Sequence, residues 1–386
     1  MRDRKIRVGI VGTGYIGGSH METLRRIPYV ELAAVAGGNY GRAQKKAAEF
    51  GVDVCHATMD DLINDPTLDA VHNCTPNHLH NEVNAKIIKA GKHVFSEKPL
   101  ARTSEESAEI LALLRQHPGI VAGVNFCYRM NPLIQDTKNR IAAGEIGRPL
   151  LVHGSYLQDW LLYETDYNWR VETAFAGPSR CVGDIGSHWL DTAQVLVGSR
   201  VTAVSAETVI VHPVRKKPTA AVETFSRSTD TDTVDVPVET EDFAAALLRF
   251  ENGVTGVFSC SQVSAGRKCF IDIEVDGTKA SYHWNHETSD RKWMGHRDRQ
   301  NEQIMRNPNL MTEAARRYTY LGAGHPEGWN DAFKNTLTAF YSFIRDGRKP
   351  GVDACDFATF DDAHHIMKIT DAIMASGRTG RWVEID

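Results

Sequence analysis

The chain has 386 residues, of which 42% are hydrophobic and 24% charged, and this composition is ordinary for a globular protein. Its formal net charge is −5 and it has no long basic block, so we expect neither nucleic acid nor an anionic membrane as a partner. A chain longer than about 300 residues usually divides into two domains.

Seven cysteines are scattered along the chain and never form a C-x-x-C pair. This usage predicts reduced thiols in a cytoplasmic protein, without a disulfide framework or a zinc ribbon. The apolar stretch at the start is too short for a signal peptide. No segment approaches the ~20 apolar residues of a membrane helix.

The first informative segment is IRVGIVGTGYIGG, residues 6–18, in which a short apolar run breaks into a glycine turn. Gly12 permits the tight turn, Gly14 lets a pyrophosphate approach the backbone, and Gly17 lets helix and strand pack closely. The following helix N-terminus attracts an anion. The segment predicts a dinucleotide-binding turn made of Gly12, Thr13, Gly14, Tyr15, Ile16 and Gly17.

Strands and helices alternate over the first ~125 residues, which predicts a doubly wound parallel sheet with ligands at the carboxyl ends of its strands. The predicted strands after the first are 30–36, 70–74, 93–96 and 119–125, and the predicted helices are 20–26, 42–50, 82–90 and 104–116.

The pattern changes after residue 130. A helix at 133–143 is followed by the predicted strands 150–157, 201–211, 245–250, 254–261, 270–276 and 279–284, which indicate a mostly antiparallel open sheet. We expect an extended excursion at 213–240, irregular structure at 285–324, and helices at 329–345 and 361–376. Trp382 and Val383 are expected to dock the tail. The predicted domains are residues 1–130 and 131–386.

Three polar groups lie where this scheme places a site. Residues 75–80, TPNHLH, face the crevice of a parallel sheet or, alternatively, cap the next helix. We expect no metal at His78 and His80, because no third ligand has a recognised spacing. Lys98, in Glu97-Lys98-Pro99, is either a substrate contact at a strand end or half of a surface ion pair.

The third group is GDIGSHWLD, residues 183–191. On a helix Asp184 and His188 are i,i+4 neighbours that share a face with Asp191. A carboxylate beside an imidazole suits a general base near neutral pH. Taken in isolation, the residues favour a simpler interpretation, in which Asp184 caps the helix and His188 is a packed surface histidine.

With these motifs, the chain resembles the Gfo/Idh/MocA oxidoreductases, the glucose–fructose oxidoreductase and inositol dehydrogenase group. The matching pieces are GTGYIGGSH (12–20), TPNHLH (75–80), AGKHVFSEKP (90–99), NWR (168–170), DIGSHWLD (184–191), GHPEGWNDAF (324–333) and GRWVEI (380–385). The resemblance implies an N-terminal Rossmann domain and a C-terminal α/β domain with a large, mostly antiparallel open sheet. It also implies reversible NAD(P)-linked oxidation of a secondary alcohol of a sugar or polyol.

By the same resemblance, Lys98, His188 and Asp184 are the catalytic residues. Beyond the glycine turn, it implies cofactor contacts at Gly38, Asn39, Arg42, Thr75, Pro76, Asn77, His80, Glu97, Lys98, Asn125, Trp169 and Arg170. The chain departs from many relatives after the second strand, where AGGNYGR lacks the acid that grips the adenosine ribose. Arg42, Lys45 and Lys46 would tolerate a 2′-phosphate, so NAD(P) stays open with a lean to NAD.

Substrate contacts are expected at Lys98, Arg129, Tyr156, Gln158, Trp160, Asp184, His188 and His325. Tyr156, Gln158 and Trp160 would share one strand face, which suits either a sugar or plain packing. His325, Arg129 and the 293–299 loop would close over the ligand. By resemblance to family members that carry YLQDWL (156–161) and GHPEGW (324–329), we expect a glucose-type pyranose or glycoside, oxidised at C3.

Three other functions stay open: an inositol or polyol dehydrogenase, a redox-dependent glycosidase or lyase, and a non-catalytic NAD(P)-binding regulator. The exposed sheet face of the second domain predicts a homo-oligomer, a dimer or a tetramer.

Overall fold

The computed structural model describes residues 4–219 and 232–386. They form two compact units, the first within residues 4–127 and 330–365 and the second within 128–329 and 366–386. Part of the predicted 213–240 excursion, residues 220–231, lies outside the described residues. None of the helices in the described ranges combines the length and the apolar character needed to cross a bilayer.

The first unit contains a parallel sheet and the helices that cover it. Numbered along the whole chain, its strands are β1 (Ile6–Val11), β2 (Val30–Ala36), β3 (Val54–Cys55), β4 (Ala70–Asn73), β5 (His93–Ser96), β6 (Ala122–Val124) and β17 (Ala358–Thr359). Its helices are α1 (Tyr15–Arg25), α2 (Tyr40–Glu49), α3 (Met59–Ile63), α4 (Asn77–Lys89), α5 (Ser104–Arg115) and α10 (Trp329–Arg345).

The strand order is β17-β6-β5-β4-β1-β2-β3, and every neighbouring pair except β17–β6 is parallel. In β1, Val8, Ile10 and Val11 are fully buried, as expected of a strand covered on both faces. The last residues of β1, β4, β5 and β6 are in register. The residues that follow them, Gly12, Cys74, Glu97 and Asn125, therefore lie along one edge of the sheet. The predicted doubly wound sheet is confirmed.

The second unit is built on a nine-stranded sheet. The strands of this unit, in the large sheet and in a separate hairpin, are β7 (Pro149–Leu157), β8 (Val201–Val209), β9 (Val214–Pro218), β10 (Thr233–Pro237), β11 (Phe243–Phe250), β12 (Thr255–Ser261), β13 (Phe270–Gly277), β14 (Ser281–Asn285), β15 (Arg291–Gly295), β16 (Glu302–Met305) and β18 (Val383–Glu384). Its helices are α6 (Pro132–Ala142), α7 (Thr173–Ala176), α8 (Ser187–Val197), α9 (Glu313–Arg316) and α11 (Phe360–Thr379), of which the last begins in the first unit.

The sheet order is β16-β15-β14-β13-β7-β12-β11-β8-β18, while β9 and β10 form a separate hairpin. Only β7 and β12 are parallel neighbours among these described strands, so the predicted mostly antiparallel sheet is confirmed. Helix α8 covers one face, where the Trp189 indole N–H donates to the Asp272 carbonyl at 2.9 Å. The tail docks as predicted, because Val383 pairs with Val204 in β8.

Residues 330–365 are the main difference from the predicted domains, which placed all of 131–386 in the second domain. In the structure this segment clusters with the first unit. The Tyr341 hydroxyl lies 2.6 Å from His72 Nε2, and Arg26 pairs with Asp331 at 2.7 Å. The apolar face of the amphipathic helix α10 is therefore buried within the first unit.

Two local predictions were also wrong. Helix α4 begins at Asn77 and not at residue 82, because polar residues in its first turn interrupt the apolar periodicity. Residues 285–324 are not irregular throughout, since they contain β15 and β16. Both strands lie at one end of the sheet and carry charged residues, which hides the alternation of apolar and polar side chains.

Adjacent glycines in α1 test the close packing of this helix on the turn after β1. A Cβ at Gly17 would lie 2.1 Å from the Gly12 carbonyl oxygen, whereas a Cβ at Gly18 would approach nothing closer than 3.7 Å. We expect Gly17→Ala to lower the free energy of unfolding by about 1–3 kcal/mol. Gly18→Ala, the matched control, should raise it by up to about 1 kcal/mol through helix propensity. Urea unfolding curves measure both, and equal shifts would contradict the packing argument.

Candidate active site

The turn after β1 has the shape of a phosphate cradle. Gly12 has a φ of +100°, and a Cβ there would lie 2.3 Å from the Cys74 carbonyl oxygen, so only glycine fits. At Gly14 and Gly38 the Cβ position is open, with no described atom within 4 Å. Gly14 precedes α1 without a side-chain cap, so the first N–H groups of that helix can take an anion. These residues fit a dinucleotide.

Next to this turn, the loop after β2 offers small and basic groups. Asn39 caps α2 by accepting the Arg42 backbone N–H at 2.9 Å. Gly38, Asn39 and Arg42 are all exposed. The stretch carries no carboxylate, as the sequence indicated, and the Asn39 carbonyl oxygen is already used by the helix.

In the turn after β4, Thr75 and His80 support the backbone of the site. The Thr75 hydroxyl donates to Asn73 Oδ1 at 2.6 Å. The buried His80 ring lies 2.8 Å from the Thr75 carbonyl and 2.6 Å from the Pro99 carbonyl, so it ties this turn to the one that carries Lys98. Pro76 is the N-cap residue of α4, and Asn77 is buried in its first turn.

The turn after β5 places Lys98 beside a buried carboxylate. Glu97 Oε1 lies 2.9 Å from His20 Nε2 and accepts the Asn125 amide at 2.6 Å. Burial alone would raise the pKa of Glu97, but the His20 hydrogen bond and the His20 and Lys98 charges outweigh it and lower the pKa. Lys98 is half-buried, and its peptide bond to Pro99 is cis.

Asn125 gives a second sign that this edge takes a polar ligand. Its amide N–H₂ donates to Glu97, while its carbonyl oxygen is buried and accepts no hydrogen bond from the described residues. A buried acceptor of this kind is normally satisfied, so the cradle and this oxygen together fit a dinucleotide that ends in a carboxamide.

In the second unit, the GDIGSHWLD segment is helical but not uniformly α-helical. Residues Val182–Gly186 form a π-helix, and α8 begins only at Ser187. The predicted i,i+4 relation on an α-helix is therefore wrong for Asp184. Gly186 allows this segment to approach β12 closely, since a Cβ there would lie 2.9 Å from the Phe258 ring. Such π-helical turns are frequent at functional sites.

A buried carboxylate holds the start of this helical segment. Glu241 Oε1 accepts the Ser179 hydroxyl at 2.8 Å and the backbone N–H groups of Arg180 and Val182 at 3.1 and 2.9 Å. Burial nevertheless raises the pKa of Glu241. The neighbouring Asp242 accepts from Arg180 at 2.5 Å and from Arg215 at 2.6 Å, and all three side chains are fully buried.

Asp184 is held from two sides. The Gln262 amide donates to its Oδ2 at 2.9 Å, and Arg170 Nε lies 3.5 Å from its Oδ1. Arg180 donates to Gln262 Oε1 at 3.1 Å, which fixes the orientation of that amide. The predicted pair Trp169 and Arg170 is stacked, with the guanidinium carbon 4.4 Å from the indole centroid.

His188 is buried and surrounded by aromatic rings. The Tyr128 ring meets it edge-on at 4.9 Å, and the predicted contact Tyr156 lies 6.3 Å away. Burial and the nearby Cys269 raise the pKa of Tyr156 well above its ordinary value, so this phenol stays neutral. The Tyr128 and Tyr156 hydroxyls are 3.0 Å apart, and the Gln158 amide donates to Tyr156 at 3.4 Å.

Other predicted substrate contacts are placed differently. Strand β7 ends at Leu157, so Gln158 and Trp160 do not continue the predicted strand face, and Trp160 packs against a buried apolar cluster. Arg129 forms a buried two-pronged ion pair with Asp191, which therefore supports Arg129 and not His188. His325 is exposed in the segment before α10, and residues 293–295 belong to β15 and not to a loop.

Three residues around this site were missed from the sequence: Gln262, Tyr128 and His286. His286 lies 4.8 Å from Tyr128, its Nδ1 is buried with no hydrogen-bond partner among the described residues, and burial lowers its pKa to about 4. The ring is thus neutral at pH 7. No local motif marks these residues, because each reaches the site only through the folding of the sheet.

Comparisons with known proteins assign the fold to a family. Residues 6–126 match the oxidoreductase family with an NAD-binding Rossmann fold, and residues 134–283 match the GFO/IDH/MocA C-terminal domain. The chain belongs to the Gfo/Idh/MocA oxidoreductases.

Individual relatives agree with this assignment. Levoglucosan dehydrogenase from Pseudarthrobacter phenanthrenivorans is 30% identical over 99% of this chain and 98% of its own length. The scyllo-inositol 2-dehydrogenase (NAD(+)) of Bacillus subtilis is 29% identical over 72% of this chain and 73% of its own. The solved complex of levoglucosan dehydrogenase with NADH and levoglucosan has a TM-score of 0.88 at 28% identity, covering 99% and 100% of the two chains. The predictions of a Gfo/Idh/MocA member and an NAD(P)-dependent sugar dehydrogenase are confirmed.

In this Gfo/Idh/MocA enzyme, a substitution at Gln262 tests whether its hydrogen bond affects Asp184. Gln262→Leu removes a donor that favours the ionised carboxylate, so the acidic limb of the pH profile of kcat/KM should move up by about one pH unit. Gln303→Leu in β16 is the control, since that amide donates to the Lys292 carbonyl. A profile unchanged in Gln262→Leu would show that the contact does not tune Asp184.

Proposed function

We propose that this enzyme oxidises a secondary hydroxyl of a glucose-type pyranose or glycoside, at C3, with NAD as acceptor. The observation that carries the proposal is the second-unit constellation, in which Asp184 is held by Gln262 and Arg170 while His188 lies among tyrosine rings. Two adjacent phenol hydroxyls and a carboxylate suit a polyhydroxylated ring. The relative that binds NADH and levoglucosan supports the same substrate class.

The proposed roles follow from the chemistry of the side chains. His188 takes the proton of the substrate hydroxyl, and Asp184 stabilises the charge that the imidazole gains. Lys98 donates a hydrogen bond to the same oxygen and stabilises its developing negative charge. Glu97 and Asn125 hold the backbone from which Lys98 projects. When bound, the nicotinamide supplies the electron acceptor.

The cofactor would be held by the glycine turn and by the residues along the sheet edge of the first unit. Gly12 and Gly17 shape the phosphate cradle, and Asn125 offers its buried carbonyl oxygen to the carboxamide. The loop from Gly38 to Arg42 leaves room for the adenosine ribose of either NAD or NADP. We propose that NAD binds more tightly than NADP. The NAD(+)-linked scyllo-inositol 2-dehydrogenase and the NADH complex of levoglucosan dehydrogenase support this preference.

Lys98 and His188 can be tested by separating binding from chemistry. Lys98→Met and His188→Ala should each lower kcat by ~10²-fold or more, because proton transfer and oxyanion stabilisation are lost. NADH binding, followed by nicotinamide fluorescence, should persist in both variants. Lys89→Met, at the exposed end of α4, is the matched control. Turnover at the unsubstituted rate in either variant would refute its role.

The position of oxidation can be tested with labelled sugars. Methyl glucosides that carry deuterium at C2, C3 or C4 are compared in single turnovers with NAD, and only the C3 label should slow NADH formation. Glucose, levoglucosan, xylose and myo-inositol complete the panel. Activity on myo-inositol alone, or an isotope effect at C2 or C4 only, would overturn the pyranose C3 proposal.

We also propose a cytoplasmic homo-oligomer, a dimer or a tetramer. The sheet face opposite α8 exposes Leu151, Leu247 and Val257, each 47–52% accessible, and a second copy would cover them. Sedimentation equilibrium of Val257→Glu against the unsubstituted chain tests the contact. All seven cysteines are free thiols, which supports a reducing compartment.

A further inference from the structure

The sheet face opposite α8, part of which a second copy would cover, carries a group of metal-ligand side chains that the dehydrogenase chemistry does not use. Strand β13 places Asp272, Glu274 and Asp276 on this face, at every second residue. The residues between them, Ile273 and Val275, are buried on the side that α8 covers. The carboxylates are therefore on the opposite face of the sheet from His188.

Histidines flank this row on both neighbouring strands. Glu274 pairs in register with His153 of β7 and with His283 of β14. His153 Nε2 lies 3.2 Å from Asp276 Oδ2, and His283 Nε2 lies 2.6 Å from Asp272 Oδ2. Side chains directly opposite one another in a sheet are close enough to share one ligand.

The side chains of His153, Glu274 and Asp276 converge. One ligand atom from each lies within 4.8 Å of the other two. The Glu274 carboxylate forms no ion pair within the described part of the chain, and on the same strand face it lies beside the like charge of Asp276. Two carboxylates so placed are stabilised by a shared proton or by a cation.

We propose that His153, Glu274 and Asp276 bind a divalent transition-metal ion, with water completing the coordination. One imidazole nitrogen and two carboxylate oxygens form a mixed donor set, which suits zinc and its neighbours better than magnesium or calcium, which prefer oxygen alone. The rigid sheet holds the three ligands on adjacent strands. The Asp272–His283 pair borders the site and fixes the carboxylate row on its other side.

Zinc titration of the purified full-length chain tests this site. Isothermal titration calorimetry with Zn²⁺, in a buffer free of phosphate and chelators, should give one saturable event per chain. Glu274→Gln and Asp276→Asn keep the shape of each side chain, and each should weaken this event at least about tenfold. His153→Ala should do the same. Mg²⁺ and Ca²⁺ should give no comparable event.

A control variant distinguishes zinc binding at this site from nonspecific zinc binding at other histidines. His296 lies 2.8 Å from Glu302 in a similar pair without a second carboxylate, so His296→Ala should leave the titration unchanged. Thermal melts without metal establish that each variant is folded. The same zinc affinity in the unsubstituted chain and in the three ligand variants, or no binding in any of them, would overturn the proposal.

Discussion

The active-site geometry of the second unit depends on one buried dipeptide, Glu241-Asp242. Glu241 satisfies backbone N–H groups at the start of the helical segment that carries Asp184 and His188. Asp242 neutralises Arg180, and Arg180 in turn orients the amide that binds Asp184. Removing one partner from a buried pair typically costs about 3–5 kcal/mol, so this network fixes where Asp184 and His188 can lie.

The first unit also contains a buried carboxylate, at the end of β5, that is stabilised by polar partners. Glu97 is buried and would be expensive to ionise alone, but His20 and Asn125 satisfy it. His20 is linked onward through His72 to the Tyr341 hydroxyl on α10. The late segment 330–365 therefore contributes Tyr341 to the hydrogen-bonded network that includes Glu97, the residue before Lys98.

Local chemistry made much of this architecture predictable from the sequence. The glycine turn, the position of Lys98 after a buried strand and the alternating second sheet each follow from a few adjacent residues. The π-helix at Val182–Gly186 was not predictable, because no local sequence pattern distinguishes it from an α-helix, and Gly186 packs against Phe258 of β12, which is distant in the sequence. The packing of Trp160 was missed for a related reason: β7 ends before it, so the assumed alternation stops at Leu157.

Contacts between distant residues account for the other omissions. Gln262 follows β12 and reaches Asp184 across 78 residues of sequence, and nothing near either residue signals the pairing. Arg129 was expected to close over the ligand and Asp191 to share a helix face with His188, yet the two side chains satisfy one another. Sequence spacing identifies polar residues that could act on a substrate. Only the folded structure shows which of these side chains already pair with another residue of the protein.

The central proposal for the mechanism is that Lys98 and His188 act on the same substrate hydroxyl. A double-mutant cycle on kcat/KM with Lys98→Met, His188→Ala and the combined variant tests it most directly. Groups that act as a unit lose their effect together, so the account predicts that the combined variant is about as impaired as the worse single variant. Losses that multiply in the combined variant would show two independent contributions and would contradict the account.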